Sequence, residues 1–346
     1  MDKILYIYPS QHSVVQQDRD ILSSYFEVID YHFPAQKKWL IPFLLLHQFI
    51  FLLVNSSRTN TWIVSFVGYQ SILPGIIGKL LNKNVFMIMH GAETCTIPEA
   101  NYGLIRKWRL KWAVYISVKM ATKVLPVSRH LMRGESLNDQ GKTSPQGLFH
   151  YFPNLTVDYK VIPNGFDTNY WSADPDVQRI QNLIIAVAKP SQFVHKGINM
   201  LIDAAKELTE YNFEIIGSKG ESYTCPDTPN VRVLPYMSAE KLRSRFQSAA
   251  IYIQPSYWEG FGCALCEAML CGCYPIVSNA CELPAIIGPF GTVMTDFSKS
   301  ALVQAIQNSA LQNYSDVQRQ KISAHVAKLY PLTSRSAALL GVLSGK

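Results

Sequence analysis

The chain has 346 residues, of which 48% are hydrophobic and 16% are charged, and this balance excludes an intrinsically disordered protein. The length exceeds what one typical hydrophobic core needs, so we expect two domains. The net charge of +7 belongs to the first half, because residues 1–165 hold 17 basic and 10 acidic side chains whereas residues 166–346 hold 15 of each. Such asymmetry indicates an anionic neighbour, either a membrane surface or a nucleic acid.

The start of the chain and its cysteines both favour a cytoplasmic protein. Met1-Asp2-Lys3 leads straight into an apolar strand, so we expect no secretory signal. Seven cysteines in a chain of this length do not resemble the disulfide framework of a small secreted domain. We therefore expect free thiols.

Apolar strands alternate with helical stretches along the first half, which is typical of a parallel, doubly wound sheet. The predicted strands are 4–8, 26–31, 62–67, 85–89, 124–127 and 159–162, with a helix over 72–81. Ligands of such sheets bind beyond the C-terminal ends of the strands. We therefore expect residues 9–12, 68–70, 90–94 and 128–130 to surround one crevice. The first of these loops lacks a glycine-rich fingerprint, so we expect no dinucleotide site there.

Two stretches of the first half have the composition of membrane-surface segments. Residues 40–54 are almost wholly apolar but fall short of the ~20 residues that span a bilayer, so a buried core helix and an interfacial helix both fit. Residues 106–123 carry six basic side chains together with Trp108 and Trp112, which fits either an interfacial helix or a solvated basic face. No recognised nucleic-acid-binding motif is present, so we expect no nucleic-acid partner.

The alternation restarts after residues 161–167, where Pro163 and Gly165 mark the crossing between domains. The predicted strands of the second half are 183–188, 213–216, 231–234, 251–253 and 275–277. Its predicted helices are 198–208 and 239–249, followed by helical stretches between 299 and 340.

The stretch 255–278 is the most informative of the chain, because it indicates a strand, a glycine loop, a helix and a second strand. Gly260 and Gly262 allow the backbone to approach an anion at the start of a helix, where unpaired N–H groups favour phosphate. Glu259 stands in the loop, and Glu267 follows just over one turn into the helix. The pattern favours a sugar-nucleotide site, and an ordinary crossover with two solvated acids fits the spacing as well.

Two further patterns suggest metals, and a structural explanation is available for each. Cys263, Cys266, Cys271 and Cys273 have zinc-like spacing, but small apolar side chains also let a helix approach a sheet closely. The Asp-x-Asp pattern at 174–176 lies in a polar loop, where it predicts a turn. We expect no metal at either place.

Five motifs follow one another in the order of a known family. They are His90-Gly91-Ala92-Glu93, ATKVLPVS ending at Ser128, Val161-Ile162-Pro163-Asn164-Gly165, His195-Lys196-Gly197, and Glu259-x7-Glu267 followed by the stretch to Pro275. Together they resemble the family 4 retaining glycosyltransferases of the GT-B fold, over roughly residues 85–290. Residues 90–171 are also similar, more loosely, to enzymes that build bacterial surface polysaccharides.

The resemblance implies an α/β protein with two Rossmann-like domains, whose parallel sheets face each other across a cleft. Residues 1–165 would bind the acceptor, residues 166–330 would bind the sugar nucleotide, and residues 331–346 would form a helix that crosses back to the first domain. The donor would be a UDP- or GDP-type sugar, with no further cofactor.

The resemblance also implies individual roles. Glu267 would bind the ribose hydroxyls, Glu259 the transferred sugar and Lys196 the pyrophosphate, while His90 would lie beside the donor sugar. Further donor-binding residues would be Phe261, Gly262, Cys263, Ala264, Lys189, Leu234 and Tyr236, and acceptor-side residues would be Gly91, Glu93, Ser128 and Asn164. Lys189 stands seven residues before Lys196, where the family usually has an arginine about five residues before, so the charge is kept but the bidentate fork is not.

These expectations combine into one function. The chain would be a retaining glycosyltransferase that moves a hexose from a nucleotide-diphosphate sugar to a glycan or lipid-linked acceptor in surface polysaccharide synthesis. It would work in the cytoplasm, on the inner face of the plasma membrane and against its anionic surface. A non-catalytic sugar-nucleotide-binding protein and a sugar-nucleotide epimerase on the same fold both remain open.

Overall fold

The structure is a computed structural model that describes residues 1–34, 38–138, 141–225, 227–310 and 315–344. The chain divides into two compact units. The first contains Met1–Gly134, Pro145–Asn164 and Arg335–Lys346, and the second contains Glu135–Ser144 and Gly165–Ser334.

A parallel sheet forms the core of the first unit. Its strands within the described residues are β1 (Lys3–Tyr8), β2 (Glu27–His32), β3 (Thr61–Ser65), β4 (Asn84–Met89) and β5 (Lys123–Pro126), in the spatial order β2-β1-β3-β4-β5. This is one of the two common orders of doubly wound sheets. Its central strands are apolar on both faces, as they must be when helices cover both sides.

Helices connect these strands. They are α1 (Ser13–Ser23), α2 (Ile41–Ser56), α3 (Tyr69–Leu80) and α4 (Trp108–Met120), followed by the single turn α5 (Leu148–Tyr151). The connections through α2, α3 and α4 all move across the sheet in one direction, so right-handed crossovers place these three helices on the same face. Helix α3 packs against both α2 and α4.

One predicted strand is absent. Residues 159–162 make a single parallel bridge between Tyr159 and Val124 and do not extend the sheet further. The stretch has β-branched residues, but Pro163 and Gly165 end it at once, so only Lys160 and Ile162 donate backbone hydrogen bonds to β5. A separate ribbon of β6 (Gly134–Leu137) and β7 (Thr143–Gln146), which the sequence did not indicate, precedes this stretch.

The second unit also has a parallel sheet as its core. Its strands in the described residues are β8 (Ile180–Val187), β9 (Asn212–Ser218), β10 (Tyr223–Cys225), β11 (Thr228–Pro235), β12 (Ala249–Gln254), β13 (Tyr274–Val277) and β14 (Thr292–Val293). The spatial order is β10-β11-β9-β8-β12-β13-β14, and only the edge strand β10 pairs antiparallel. Without β10, this is the 3-2-1-4-5-6 order of the Rossmann fold.

Helices cover this sheet as well. They are α6 (Ile198–Ala205), α7 (Ala239–Ser248), α8 (Cys263–Leu270), α9 (Leu283–Ile287), α10 (Lys299–Ala310) and α11 (Asp316–Leu329). The final helix α12 (Leu332–Leu343) begins in the second unit, and Arg335 is its first residue in the first unit.

Arg335 is the main polar anchor of α12 in the first unit. Its buried guanidinium forms two parallel hydrogen bonds with the buried carboxylate of Asp18, at 2.6 and 2.7 Å, and also donates to the carbonyls of Ile162 and Pro163. A fully buried charge is stable only when paired and hydrogen-bonded in this way.

No helix in the described residues is long and apolar enough to cross a bilayer.

Candidate active site

The candidate site of the second unit lies at the C-terminal ends of β8 and β12. Connections from β8 lead through β9 towards β11, whereas those from β12 lead the opposite way to β13 and β14. Ligands of doubly wound sheets bind in the crevice that opens where the direction reverses. The loops 188–197 and 255–262 border that crevice.

These two loops interlock. The amide of Tyr257 donates to the carbonyl of His195 at 2.8 Å. Gly197, at the start of α6, has φ +67°, and a Cβ there would stand 1.9 Å from the carbonyl oxygen of Pro255. Only glycine permits this approach, so the third residue of the His195-Lys196-Gly197 motif fixes the distance between the loops.

The contact between the loops brings together two predicted site residues, Lys196 and Glu259. Their side chains form an ion pair and are largely buried, and the hydroxyl of Ser256 donates to the same carboxylate oxygen of Glu259 at 2.8 Å. Burial alone would raise the pKa of Glu259, but the charge and hydrogen bond of Lys196, together with Ser256, hold it below its usual value. Glu259 is therefore an anion at neutral pH.

The adjacent His195 is buried and neutral. Burial, and then the charge of Lys196, lower the pKa of His195 to about 4. At this point of the site the positive charge therefore comes from the ammonium of Lys196 and not from His195.

Sequence reasoning missed three residues that support Glu259, namely Ser256, Ser278 and Cys281. The hydroxyl of Ser278 donates to the carbonyl of Ser256 at 2.6 Å, and the amide of Glu259 donates to the sulfur of Cys281 at 3.4 Å. Cys281 has φ +51°, which is unusual for a residue with a side chain. The loops after the neighbouring strands β12 and β13 therefore fasten one another, and the available signal was that both follow strands of one βαβ unit.

Helix α8 begins directly after the loop. Gly262 precedes it with φ +115°, and no side chain caps the helix start. Unpaired amides at such a start, with the helix dipole, favour an anion. Cys263 and Ala264 occupy the first turn and are half-buried, whereas Phe261 is buried and its ring meets those of Phe166 and Tyr330.

Glu267 stands one turn further along α8. Its side chain is half-buried, and its carboxyl group has no hydrogen bond or ion pair within the described residues. Burial raises the pKa of Glu267 to about 8. An acidic group held beside a crevice without a protein partner is a candidate ligand-binding residue.

A cavity of about 460 Å³ lies at the ends of β8, β9 and β11. It is lined by Lys189, Gly217, Ser218, Lys219, Pro235 and Tyr236. Tyr236 is 75% exposed, so its ring is available for stacking, whereas Leu234 is buried in β11 and does not line the cavity. Lys219 was not among the predicted residues, and it brings a second lysine to the cavity.

The crevice of the first unit is built around His90. The imidazole Nε2 of His90 lies 2.9 Å from the hydroxyl of Ser65 and its ring stacks on Phe66 with centroids 4.1 Å apart. Phe66, which sequence reasoning did not single out, has φ +61°, and its ring also meets that of His12. Burial, followed by the charges of Arg335 and His12, holds the pKa of His90 well below its usual value, so the imidazole is neutral.

Glu93 supports this crevice from within. Its buried carboxylate accepts hydrogen bonds from the amides of Val67, His90 and Gly91, at 3.3, 3.2 and 2.7 Å. Burial raises the pKa of Glu93, although these hydrogen bonds oppose the change. The structure thus gives Glu93 backbone partners in the two loops that follow β3 and β4.

The remaining predicted acceptor-side residues lie close to strand β5. Ser128 follows it, is 1% exposed, and its hydroxyl has no hydrogen-bond partner within the described residues. Asn164 is also buried, two residues after Ile162, whose amide donates to the carbonyl of Pro126.

The two metal-like patterns have ordinary structural surroundings. All seven cysteines are free thiols, as expected. Asp174 accepts a hydrogen bond from the amide of Asp176 at 3.0 Å, which confirms the predicted turn. Among the described residues, no group of three or more His, Cys, Asp or Glu side chains is arranged to hold a metal ion.

The fold and the site together indicate the class of protein to which this chain belongs. Both units are doubly wound α/β sheets, and the second has Rossmann strand order with an anion-friendly helix start at its switch point. This predicts a nucleotide-binding α/β protein. The architecture matches solved GT-B structures, which confirms the predicted fold class.

Comparison with known proteins narrows this class. Residues 174–325, a little under half of the chain, match the family model described as "Glycosyl transferases group 1". The matched stretch includes Lys189, Lys196, Glu259 and Glu267.

Two curated relatives are glycosyltransferases of bacteria. An 84-residue stretch is 32% identical to the O-antigen chain mannosyltransferase B of Escherichia coli, covering 23% of this chain and 22% of that protein. A longer match of 307 residues is 23% identical to the N,N'-diacetylbacillosaminyl-diphospho-undecaprenol alpha-1,3-N-acetylgalactosaminyltransferase of Campylobacter jejuni, covering 81% of this chain and 74% of that protein.

Two solved structures share the fold along the whole chain. Sucrose-phosphate synthase from Thermosynechococcus elongatus aligns with a TM-score of 0.74 at 14% identity, covering 100% of this chain and 99% of that one. Anabaena HepE in complex with UDP-glucose aligns with a TM-score of 0.70 at 16% identity, covering 100% of both chains.

Proposed function

We propose that this chain is a retaining glycosyltransferase that moves a hexose from a nucleotide-diphosphate sugar to a glycan or lipid-linked acceptor. The observation that carries the proposal is the set of polar groups that surrounds the switch point of the second unit. There, an ion pair of Lys196 and Glu259, an uncapped helix start at Gly262 and the unpartnered carboxyl of Glu267 all lie beside one crevice.

These groups suit the parts of a nucleotide-diphosphate sugar. The amides at the start of α8 and the ammonium of Lys196 complement a diphosphate. Glu267 lies four residues beyond Cys263, or about 6 Å along the helix axis, which suits a ribose next to that phosphate. The cavity beside Lys189 and Tyr236 suits the base, because an exposed ring offers a stacking surface.

The ion pair supports positioning rather than covalent catalysis. The Glu259 carboxylate already accepts hydrogen bonds from Lys196 and Ser256, and both lower its basicity. A carboxylate held in this way is a poor nucleophile but a good acceptor for sugar hydroxyls. In the proposed reaction, the bond between C1 and the diphosphate oxygen breaks as C1 bonds to the acceptor oxygen, and the acceptor proton passes to the released diphosphate. Lys196 and the start of α8 offset the negative charge that develops there.

In the first unit, we propose that the crevice around Phe66 and His90 binds the acceptor. A strained residue beside a neutral imidazole is the kind of arrangement found at binding sites. Glu93 and Gly91 would act by shaping the loop after β4, with Ser128 and Asn164 nearby. The role of His90 beside the donor sugar stays a prediction.

A lipid-linked acceptor would be reached at a membrane. The net charge of +7 in residues 1–165 supports attraction to an anionic bilayer surface, as expected for the cytoplasmic face. The Campylobacter relative is named for a diphospho-undecaprenol-linked sugar, which supports an acceptor of this kind.

Titration calorimetry with UDP, GDP and ADP tests the donor site. We expect one of these nucleotides to bind, and absence of binding by all three would overturn the proposal. Product analysis with a panel of sugar nucleotides then separates the alternatives. A transferase releases nucleoside diphosphate only with acceptor, an epimerase yields an isomeric sugar nucleotide of unchanged mass, and a binding module yields neither.

A further inference from the structure

Helix α2 presents an unusual outer face. Its exposed side chains recur at a helical period along one side, and apart from His47 they are apolar. They are Phe43, Leu46, Phe49, Ile50, Leu53 and Val54, each between 42% and 66% exposed. In a soluble monomer the outer face of a surface helix is normally polar, and a continuous apolar face marks an interaction site.

The opposite face of α2 is fixed to the protein. Leu52 is fully buried, and buried Gln48 donates to the carbonyl of Gln70 in α3 at 2.9 Å. Residues 41–56 contain no Asp, Glu, Lys or Arg, and Nδ1 of the exposed His47 lies 2.8 Å from the hydroxyl of Tyr31, which ties the helix to β2. The outer face is therefore held in place by a packed inner face, and its composition does not arise from a loose segment.

The chemistry of helix α4 indicates what covers this face. Helix α4 lies in the same layer as α2, on the other side of α3. It begins with Trp108 and Trp112, which are 67% and 56% exposed, and Arg106 and Arg109 are exposed beside them. Exposed tryptophans and basic side chains are typical of a segment at the headgroup level of an anionic bilayer.

We propose that α2 lies in the plane of an anionic bilayer, with its outer face buried among the acyl chains and α4 against the headgroups. The helix is about 24 Å long, so it covers a strip of one leaflet and does not cross the membrane. This inference rests on the membrane part of the proposed function and adds a hydrophobic attachment to the electrostatic one. The two kinds of attachment respond differently to salt, because only charge interactions are screened.

Flotation with lipid vesicles tests the inference on the full chain. Vesicles of phosphatidylcholine, with and without phosphatidylglycerol, are compared at about 0.1 M and about 0.5 M NaCl. The variants are Leu46→Ser/Ile50→Ser on α2 and Arg106→Gln/Arg109→Gln at the start of α4. The matched control is Val317→Ser/Leu329→Ser, which removes two exposed apolar side chains from α11.

We expect the wild-type chain to bind anionic vesicles and to keep part of that binding at high salt. The α2 variant should lose the salt-resistant part by more than about tenfold, because two large apolar side chains no longer leave water. The α4 variant should lose mainly the salt-sensitive part, by about tenfold. The control should bind like the wild-type chain.

Two outcomes would overturn the inference. One is an α2 variant that binds like the control at both salt concentrations. The other is an α2 variant that turns a wild-type dimer into a monomer in light scattering without changing vesicle binding, in which case a second copy covers α2. Nucleotide binding and transfer to a water-soluble acceptor are measured in parallel. If the wild-type chain neither binds nucleotide nor transfers sugar, the transferase proposal fails and the membrane inference is unaffected. The failure of the proposed function is therefore distinguishable from the failure of this inference.

Discussion

The crevices of the two units hold their acidic groups in opposite ways. In the first unit, the Glu93 carboxylate accepts three backbone amides and is fully enclosed. In the second, Glu267 has no partner in the described residues, and Glu259 has a lysine and a serine as its side-chain partners. An acid that is hydrogen-bonded to backbone amides shapes a loop. An acid whose partners are side chains, or that has no partner, is available to a ligand.

The comparison shows why a carboxylate in a family motif need not contact a substrate. Backbone amides cannot move away without unfolding the loop, so Glu93 is committed to them. Lys196 can swing towards a diphosphate, because its ammonium ends a flexible chain. We therefore expect Lys196 and Glu259 to act on a bound ligand, and Glu93 to shape the loop that holds it.

The largest effect should come from Glu259→Gln. The amide keeps the size of the side chain but removes the negative charge that Lys196 and a sugar hydroxyl would share. We expect turnover to fall by about 10²–10³, with nucleotide affinity changed by less than about threefold. Steady-state kinetics and calorimetry measure the two quantities. Glu240→Gln, on the exposed start of α7, is the control, and equal turnover in the two variants would remove Glu259 from the site.

Glu93→Gln should instead affect stability. The three hydrogen-bond donors to the Glu93 carboxylate are backbone amides, so the amide nitrogen of glutamine faces an N–H group in either orientation. We expect a loss of about 1–3 kcal/mol in the free energy of unfolding, with unchanged nucleotide affinity. Denaturant unfolding measures the first quantity.

Glu99→Gln, exposed in the same unit, is the matched control for this change. Weaker nucleotide binding in the Glu93 variant at full stability would mean that Glu93 contacts the donor, and the contrast between the crevices would fail.

The pH dependence of nucleotide binding should report Glu267. Because its pKa is raised to about 8, the group is mostly protonated at pH 7, and ribose hydroxyls donate best to the anion. Affinity should therefore rise about tenfold between pH 7 and pH 9, and this rise should be absent in Glu267→Gln. Calorimetry across that range measures it, and a flat profile in the wild-type chain would contradict the assignment.

The raised pKa of Glu267 should also make the free energy of unfolding depend on pH. The folded state keeps a proton on Glu267 between its ordinary pKa and about 8, whereas the unfolded state loses it. The free energy of unfolding should therefore fall as pH rises through this window, and less so in Glu267→Gln.

Ser256→Ala should have the smallest effect. Glu259 keeps Lys196 but loses one hydrogen bond, so its pKa should rise. We expect turnover to fall by about threefold to tenfold, with the acid limb of the pH–rate profile moved to higher pH. Ser244→Ala, on the exposed side of α7, should leave both unchanged.

The pattern of apolar runs bounded by turn residues predicted the core strands of both sheets to within a few residues, since the strands of a buried parallel sheet are apolar on both faces. It was wrong for residues 159–162, where an apolar stretch makes only a bridge. It left the environment of α2 open, because the inner and outer faces of that helix are equally apolar in sequence.

The sequence by itself determined the two doubly wound sheets, the loops that end their strands and the positions of Lys196, Glu259 and Glu267. Only the tertiary structure decided which side chains meet. Strands β8 and β12 are neighbours although β9, β10 and β11 lie between them in sequence, and this pairing brings Lys196 to Glu259. Partners such as Ser256 and Cys281, and the amides that enclose Glu93, depend on distances across the sheet. Periodicity along the chain carries no information about those distances, which follow from strand order and loop packing.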